Sequence, residues 1–323
     1  MLARMEIENS VHYLCNESSA CMGWNDELLD RLAAQVPCGY HPNGPASSEP
    51  TALAALALSA ANRPATAAID WLAALQQPDG SIGPTETQSQ PGACWPTGWA
   101  VLAALAVGRG AGRREFDVPR AVNWILQTAG DPTAGIDESL KTSTLVGSAW
   151  VTGTYSWVEP TAIHMLALKA AGFGSHPRTR HAEAMLIDRL LAGGGCNYGN
   201  TVVLGQELRP HVQPTGLAMM ALAGQASSDR RIARSLDYLT ANLLAETTSA
   251  SLAYGLMGLA AHDRFPADGR NWLQAAYRRT ISRDGAAYKL ALLSLAALGT
   301  NGPLITLPAR QIGARGEGRG ARD

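Results

Sequence analysis

Four residues stand directly before a proline that opens an apolar run: Glu49, Trp95, Glu159 and Gln213. Two of them are carboxylic acids, the residue type suited to general acid–base work. Burial would push either pKa upward and favour the protonated form. The competing role is structural. A glutamate at a helix start interacts well with the macrodipole, although it caps less well than Ser or Asp. Both readings stay open for Glu49 and Glu159.

Other side chains could contact a ligand. His164 sits four residues after Pro160 in an apolar run and could face an interior space, as could Trp99, Met219 and Tyr254. A lone histidine on an apolar helix is equally a satisfied core residue. His211 lies in the loop Arg209-Pro210-His211-Val212-Gln213 and is either a polar group at a mouth or a solvated loop residue. The segment Asp131–Val158 carries Trp150, Tyr155 and Trp157 among glycines and threonines. Loops of that length are functional or disordered, and aromatics argue against disorder, so a lid is expected there. Aromatic faces also stabilise cations. The expected substrate-binding set is Trp95, Trp99, Trp157, His164, His211, Gln213 and Tyr254.

Bulk properties narrow the function classes. The 323 residues carry a formal net charge of −1, so no field draws in nucleic acid. The five cysteines, Cys15, Cys21, Cys38, Cys94 and Cys196, contain no Cys-x-x-Cys and read as reduced thiols in a cytoplasm. No signal peptide is visible at the start. Apolar stretches such as Leu53–Ala61 are too short to cross a bilayer. Nothing in the sequence supports a peripheral membrane contact, and the oligomeric state is not legible.

The elements that position these residues repeat. Pro50-Thr51-Ala52, Pro96-Thr97-Gly98, Pro160-Thr161-Ala162 and Pro214-Thr215-Gly216 each open an Ala/Leu-rich run. Ser251–Ala260 and Ala287–Leu298 share that texture without the Pro-Thr. Proline suits a first helical turn, where its missing N–H would go unbonded anyway. Helices apolar nearly all round are buried on more than one side. These are inner helices. Between them lie more polar segments marked by Asp70-Trp71-Leu72, Asn123-Trp124-Ile125, Asp237-Tyr238-Leu239 and Asn271-Trp272-Leu273, with Met185-Leu186 as a degenerate copy. These are outer helices. The alternation makes about six helical hairpins, and stacking buries what one hairpin cannot. Closure into a ring covers the end copies, which an open solenoid leaves bare. The expected fold is all-α: a single-domain (α/α)6 toroid over residues 27–300, with a lead-in over 1–26 and a disordered tail over 301–323.

Three segments resemble the terpenoid cyclase and protein prenyltransferase repeat family (the prenyltransferase and squalene-oxidase repeat). Trp71-Leu72-Ala73-Ala74-Leu75-Gln76-Gln77-Pro78-Asp79-Gly80-Ser81-Ile82-Gly83 resembles its Trp-Leu-x-x-Gln-x-x-Asp-Gly-Ser-Trp/Phe-Gly segment. Trp157-Val158-Glu159-Pro160-Thr161-Ala162 resembles a segment of bacterial members. Gly195-Cys196-Asn197-Tyr198-Gly199-Asn200 resembles Gly-Trp-Asn-Tyr-Gly-Asn, with Cys196 in place of Trp. The resemblance implies an α/α toroid with a central cavity. Gln76 and Asp79 read as structural clips, and Gly80 supplies a positive φ for the turn.

The resemblance also implies chemistry. In the squalene-hopene and class II diterpene cyclases an Asp-x-Asp-Asp-Thr-Ala motif supplies the acid that protonates an alkene. Aligning Thr-Ala places Glu49 or Glu159 on that acid, but Pro50 and Pro160 replace the last Asp, and Ser47 and Trp157 the first. The zinc ligands of protein prenyltransferases are not matched, because residues 92–94 read Gly-Ala-Cys and no His opens a later inner helix. No Asp-Asp pair is present to hold magnesium diphosphate. No cofactor or metal is expected. The expected function is a terpenoid cyclase-like enzyme that binds a hydrophobic, polyprenyl-type small molecule in a central cavity, with class II proton-initiated cyclisation at Glu159 or Glu49. The alternative is a non-catalytic toroid acting as a binding or scaffold protein.

Overall fold

The computed structural model describes residues 23–87, 92–108, 114–131, 145–225 and 227–306. The first helix, α1, covers residues 23–33. It is followed by α2 (Ser48–Ala60), α3 (Thr66–Leu75), α4 (Thr97–Val107), α5 (Val118–Gln127), α6 (Val158–Ala170) and α7 (Pro177–Asp188). A two-stranded antiparallel hairpin, β1 (Val202–Val203) with β2 (Gln206–Glu207), comes next. Then come α8 (Val212–Leu222), α9 (Arg230–Asn242), α10 (Ser249–Ala260), α11 (Gly269–Arg283), α12 (Ala287–Ala297) and the short α13 (Pro303–Thr306).

The even-numbered helices α2 to α12 pack in a closed cycle. Each touches the next, and α12 returns to α2. The odd-numbered helices α3 to α11 each sit outside a neighbouring pair, as α3 does on α2 and α4. Helix α1 completes the outer layer beside α11, where Trp24 meets Tyr277 at 5.6 Å between ring centroids. The fold is therefore the all-α toroid of inner and outer helices expected from the repeats.

Burial follows composition. In α10 every residue from Leu252 to Ala260 is buried, and in α2 every residue from Ser48 to Leu58. Nine consecutive residues sweep all directions around a helix. The inward faces at mid-height are thus packed as tightly as the outward ones. Outer helices bury one stripe. Helix α5 buries Ala121, Val122 and Ile125, and α9 buries Ser235, Leu236 and Leu239.

The helix starts differ between layers. Outer helices α5 and α9 are capped by aspartates: Asp117 accepts from the Arg120 N–H and Asp229 from the Arg231 N–H. Inner helices α2, α4, α6 and α8 have no side-chain cap. Their Pro-Thr threonines instead take hold of the preceding loop. The Thr51 hydroxyl accepts the Cys38 N–H at 3.1 Å, and Thr97 accepts Ile82 at 3.0 Å. Thr161 accepts Ser148 at 2.8 Å, and Thr215 accepts Cys196 at 2.9 Å. Each hydroxyl also donates to a carbonyl at 2.6–3.1 Å. The repeated motif is a loop clip, and it brings every such loop to the same end of the ring.

Gln76 and Asp79 are clips as well. Gln76 bonds Gly80 O and both backbone groups of Asp117, and Asp79 accepts from the Ser81 N–H and hydroxyl. Gly80 has φ 97°, and a Cβ there would lie 2.5 Å from the Arg120 backbone. Gly194 repeats this at φ 98° against Arg234.

Helix α1 starts before residue 27, because Trp24 and Leu28 both anchor in the core. Residues 303–306, expected in the tail, form α13 and bury Leu304. Residues 1–22 of the lead-in and 307–323 of the tail lie outside the described residues, as do 132–144 of the expected lid. No described helix is long and apolar enough to cross a membrane.

Candidate functional site

Glu49, Glu159, Gln213 and Tyr288 are each the second residue of an inner helix: α2, α6, α8 and α12. Side chains at that position gather at the N-terminal mouth of the ring. Trp99 on α4 and Tyr254 on α10 lie about one turn deeper. The six inner helices thus contribute one residue each.

Glu49 is buried. It accepts a hydrogen bond from Tyr40, in the loop between α1 and α2, and a longer one, 3.4 Å, from the Tyr254 hydroxyl. Burial pushes its pKa up to about 7. The Tyr40 bond opposes that rise, and the charge of Glu159 adds to it. The Trp99 indole also favours the ionised form, without a hydrogen bond of ordinary geometry. Glu159 is equally buried and accepts from Gln213 Nε2 at 3.0 Å. Burial lifts its pKa to about 7, against the Gln213 bond.

Both pKa values are raised by burial to about 7, so near neutral pH each carboxyl is available in protonated and ionised forms. Aromatic rings surround them. Tyr40 meets Tyr288 at 5.0 Å, and burial raises the pKa of Tyr40, Tyr254 and Tyr288, so all three stay protonated donors.

Trp99 is 0% exposed and Tyr254 1%, so the two close a floor beneath the carboxyls rather than line an open shaft. His164 does not join the group. Its ring lies between Ser148 Oγ at 2.9 Å and the Trp95 carbonyl at 3.2 Å, edge-on to Trp124. Burial, and then the charge of Arg178, depress its pKa to about 3. Arg178 bonds the same Ser148 hydroxyl. Trp95 packs edge-on against Trp150, 4.8 Å away. Trp157 packs against Tyr155 and over Gly199. Exposed His211 lies against Tyr198 and, with Gln213, Tyr238 and Ser251, lines a surface pocket of about 290 Å³ beside Glu159's partner.

Neither Tyr40 nor Tyr288 is among the contacts expected from sequence. Tyr288 had a signal, because it holds the same helix position as Glu49 and Glu159. Tyr40 had none, since only the loop's path brings it back over α2. Among the described residues no three His, Cys, Asp or Glu side chains converge as a metal ligand set.

No family model matches this chain, and no curated protein sequence matches it. Solved structures do. A protein from Actinoplanes superposes with a TM-score of 0.54 at 15% identity, over 87% of this chain and 100% of that one. A variant of the type II terpene cyclase MstE from Scytonema, in complex with its substrate geranylgeranyl dihydroxybenzoate, gives 0.54 at 14% identity, over 88% and 99%. Another MstE variant, in complex with the product merosterolic acid A, gives 0.52 at 15%, over 88% and 99%. At such identities the likeness is one of fold: this chain has a terpene-cyclase-like toroid.

Proposed function

We propose that this chain is a terpenoid cyclase-like enzyme that takes a hydrophobic, isoprenoid-bearing substrate at the N-terminal mouth, with Glu49 as proton donor and Glu159 as base. The observation that carries the reading is the pair of buried carboxyls, both with pKa near 7, held at one mouth by Tyr40 of the α1–α2 loop and Gln213 of α8. Glu49 gives its proton to a double bond, and the resulting carbocation closes onto the chain. Glu159 takes the final proton and leaves the product neutral. A carboxyl of this pKa is a weak acid for an alkene. Tyr40 and Tyr254 offset part of that weakness by bonding the carboxylate left behind. The shared fold with MstE, whose variant holds a geranylgeranyl substrate, supports the substrate class.

The test is product analysis with squalene, farnesyl and geranylgeranyl diphosphate and geranylgeranyl dihydroxybenzoate. Wild type is expected to cyclise at least one of them, and Glu49→Gln to lose more than about a hundredfold in rate with its fold intact. Equal rates in both would remove the acid role.

A second reading is a non-catalytic toroid that binds without turnover. The packed mid-height and the closed floor of Trp99 and Tyr254 favour it. Saturable binding with no product from any of the four compounds would select it.

A further inference from the structure

The opposite end of the ring carries a second feature. The middle of α4 and the C-terminal ends of α6, α8 and α10, with α13, line a half-open pocket of about 400 Å³. Its walls are Leu102, Leu166, Met220, Leu304 and Ile305, with small residues between them. That volume lies within the roughly 300–1,000 Å³ of small-molecule sites. One charged group lines it, Lys169, in the last turn of α6.

The Lys169 ammonium donates to the carbonyls of Ala221 at 2.9 Å and Ala223 at 2.6 Å. An ammonium has three N–H groups. The third has no partner among the described residues. Glu183 is near enough to favour the charged form, but it forms no ion pair with Lys169. Burial, the larger influence, lowers the Lys169 pKa. The two carbonyl bonds fix the amine at the pocket wall, and clipping α6 to α8 accounts for them. It does not account for an apolar hollow left beside a part-buried cation. Gly224 leaves the rim bare: a Cβ there would meet nothing within 4 Å.

We infer that this end of the ring binds a medium-chain carboxylate, its head on Lys169 and its tail against Leu102, Leu166, Met220 and Leu304. A single negative charge matches a single ammonium. A dianionic phosphate would leave net charge in an apolar site, which is costly. A neutral alcohol would gain the tail contacts without the ion pair. The site is remote from the glutamates and does not rest on the function proposed for them.

The experiment is calorimetric titration of the full chain with decanoate, decanol, decylamine and decyl phosphate, below their micelle concentrations. Wild type is expected to bind one decanoate at least about tenfold more tightly than decanol, with decylamine weakest and decyl phosphate weaker than decanoate. Lys169→Met is expected to keep decanol binding and lose the preference for decanoate. Ala261→Phe, which fills the pocket from α10's end, is expected to weaken both and decides the matter if the lysine variant does not fold. Equal affinity for decanoate and decanol, tightest binding of decyl phosphate, non-saturable uptake, or unchanged decanoate affinity in either variant would overturn the site.

Discussion

Tyr40 donates its hydroxyl hydrogen to Glu49 Oε2 from a loop nine residues upstream. The same ring packs on Tyr288 of α12. One loop residue therefore ties the first inner helix to the last across the closure of the ring and lowers the pKa of the carboxyl between them against the larger effect of burial. Tyr40→Phe removes the largest influence that lowers the Glu49 pKa. The titration midpoint of Glu49, followed by its carboxyl infrared band and assigned with Glu49→Gln, is expected to move up. A midpoint that stays put would dissociate Tyr40 from the acid.

The glutamates make stability depend on pH in a known direction. Their folded pKa values lie above the ordinary 4.5, so between 4.5 and about 7 the native chain binds more protons than the unfolded one. Their contribution is greatest at low pH and is lost as pH rises through about 7. A rise from 4.5 to about 7 corresponds to about 3 kcal/mol for one such group. Glu49→Gln, which cannot ionise, is expected to gain melting temperature relative to wild type as pH goes from about 5 to about 8. A constant difference across that range would contradict the burial argument.

His164 acts with the opposite sign. Its folded pKa, about 3, lies below the ordinary 6.5, so the unfolded chain takes up the proton first. Stability from this site is complete above 6.5 and declines as pH falls toward 3. His164→Gln is expected to be less stable than wild type at neutral pH, because the Ser148 and Trp95 bonds are disturbed. Its stability is expected to fall less steeply in acid. Denaturant melts at several pH values measure both effects.

The threonine clips carry a measurable load. Thr161→Val leaves the buried Ser148 N–H without its acceptor and is expected to cost about 1–3 kcal/mol in urea unfolding. Thr161→Ser keeps the hydroxyl and is expected to cost less. Equal losses would assign the effect to packing.

Gly80→Ala tests the loop geometry. The positive φ and the 2.5 Å approach to the Arg120 backbone both oppose a Cβ. The loss is expected to exceed about 1 kcal/mol. Gly193→Ala, where a Cβ meets nothing within 4 Å, serves as the control.

The site was half legible in sequence. Glu49, Glu159 and Gln213 share a place before proline, and the structure brings all three to one mouth with Trp99 and Tyr254. His164, expected to face the interior four residues after Pro160, went elsewhere. Its position, five residues after Glu159, turns the ring toward Trp95 and Ser148. Sequence spacing gives that angle only coarsely, and the loop partners not at all.

Composition and repetition determined the helices and their inner and outer assignment and favoured a ring over an open solenoid, because backbone hydrogen bonds within a helix are local and an all-apolar helix must be covered on every side. Tertiary structure alone decided that Tyr40 reaches Glu49, that Trp99 and Tyr254 form a floor, and that Lys169 faces an apolar pocket. Those relations join atoms far apart in the chain, and their energies come from burial and from long-range charge, neither of which exists until the ring has closed.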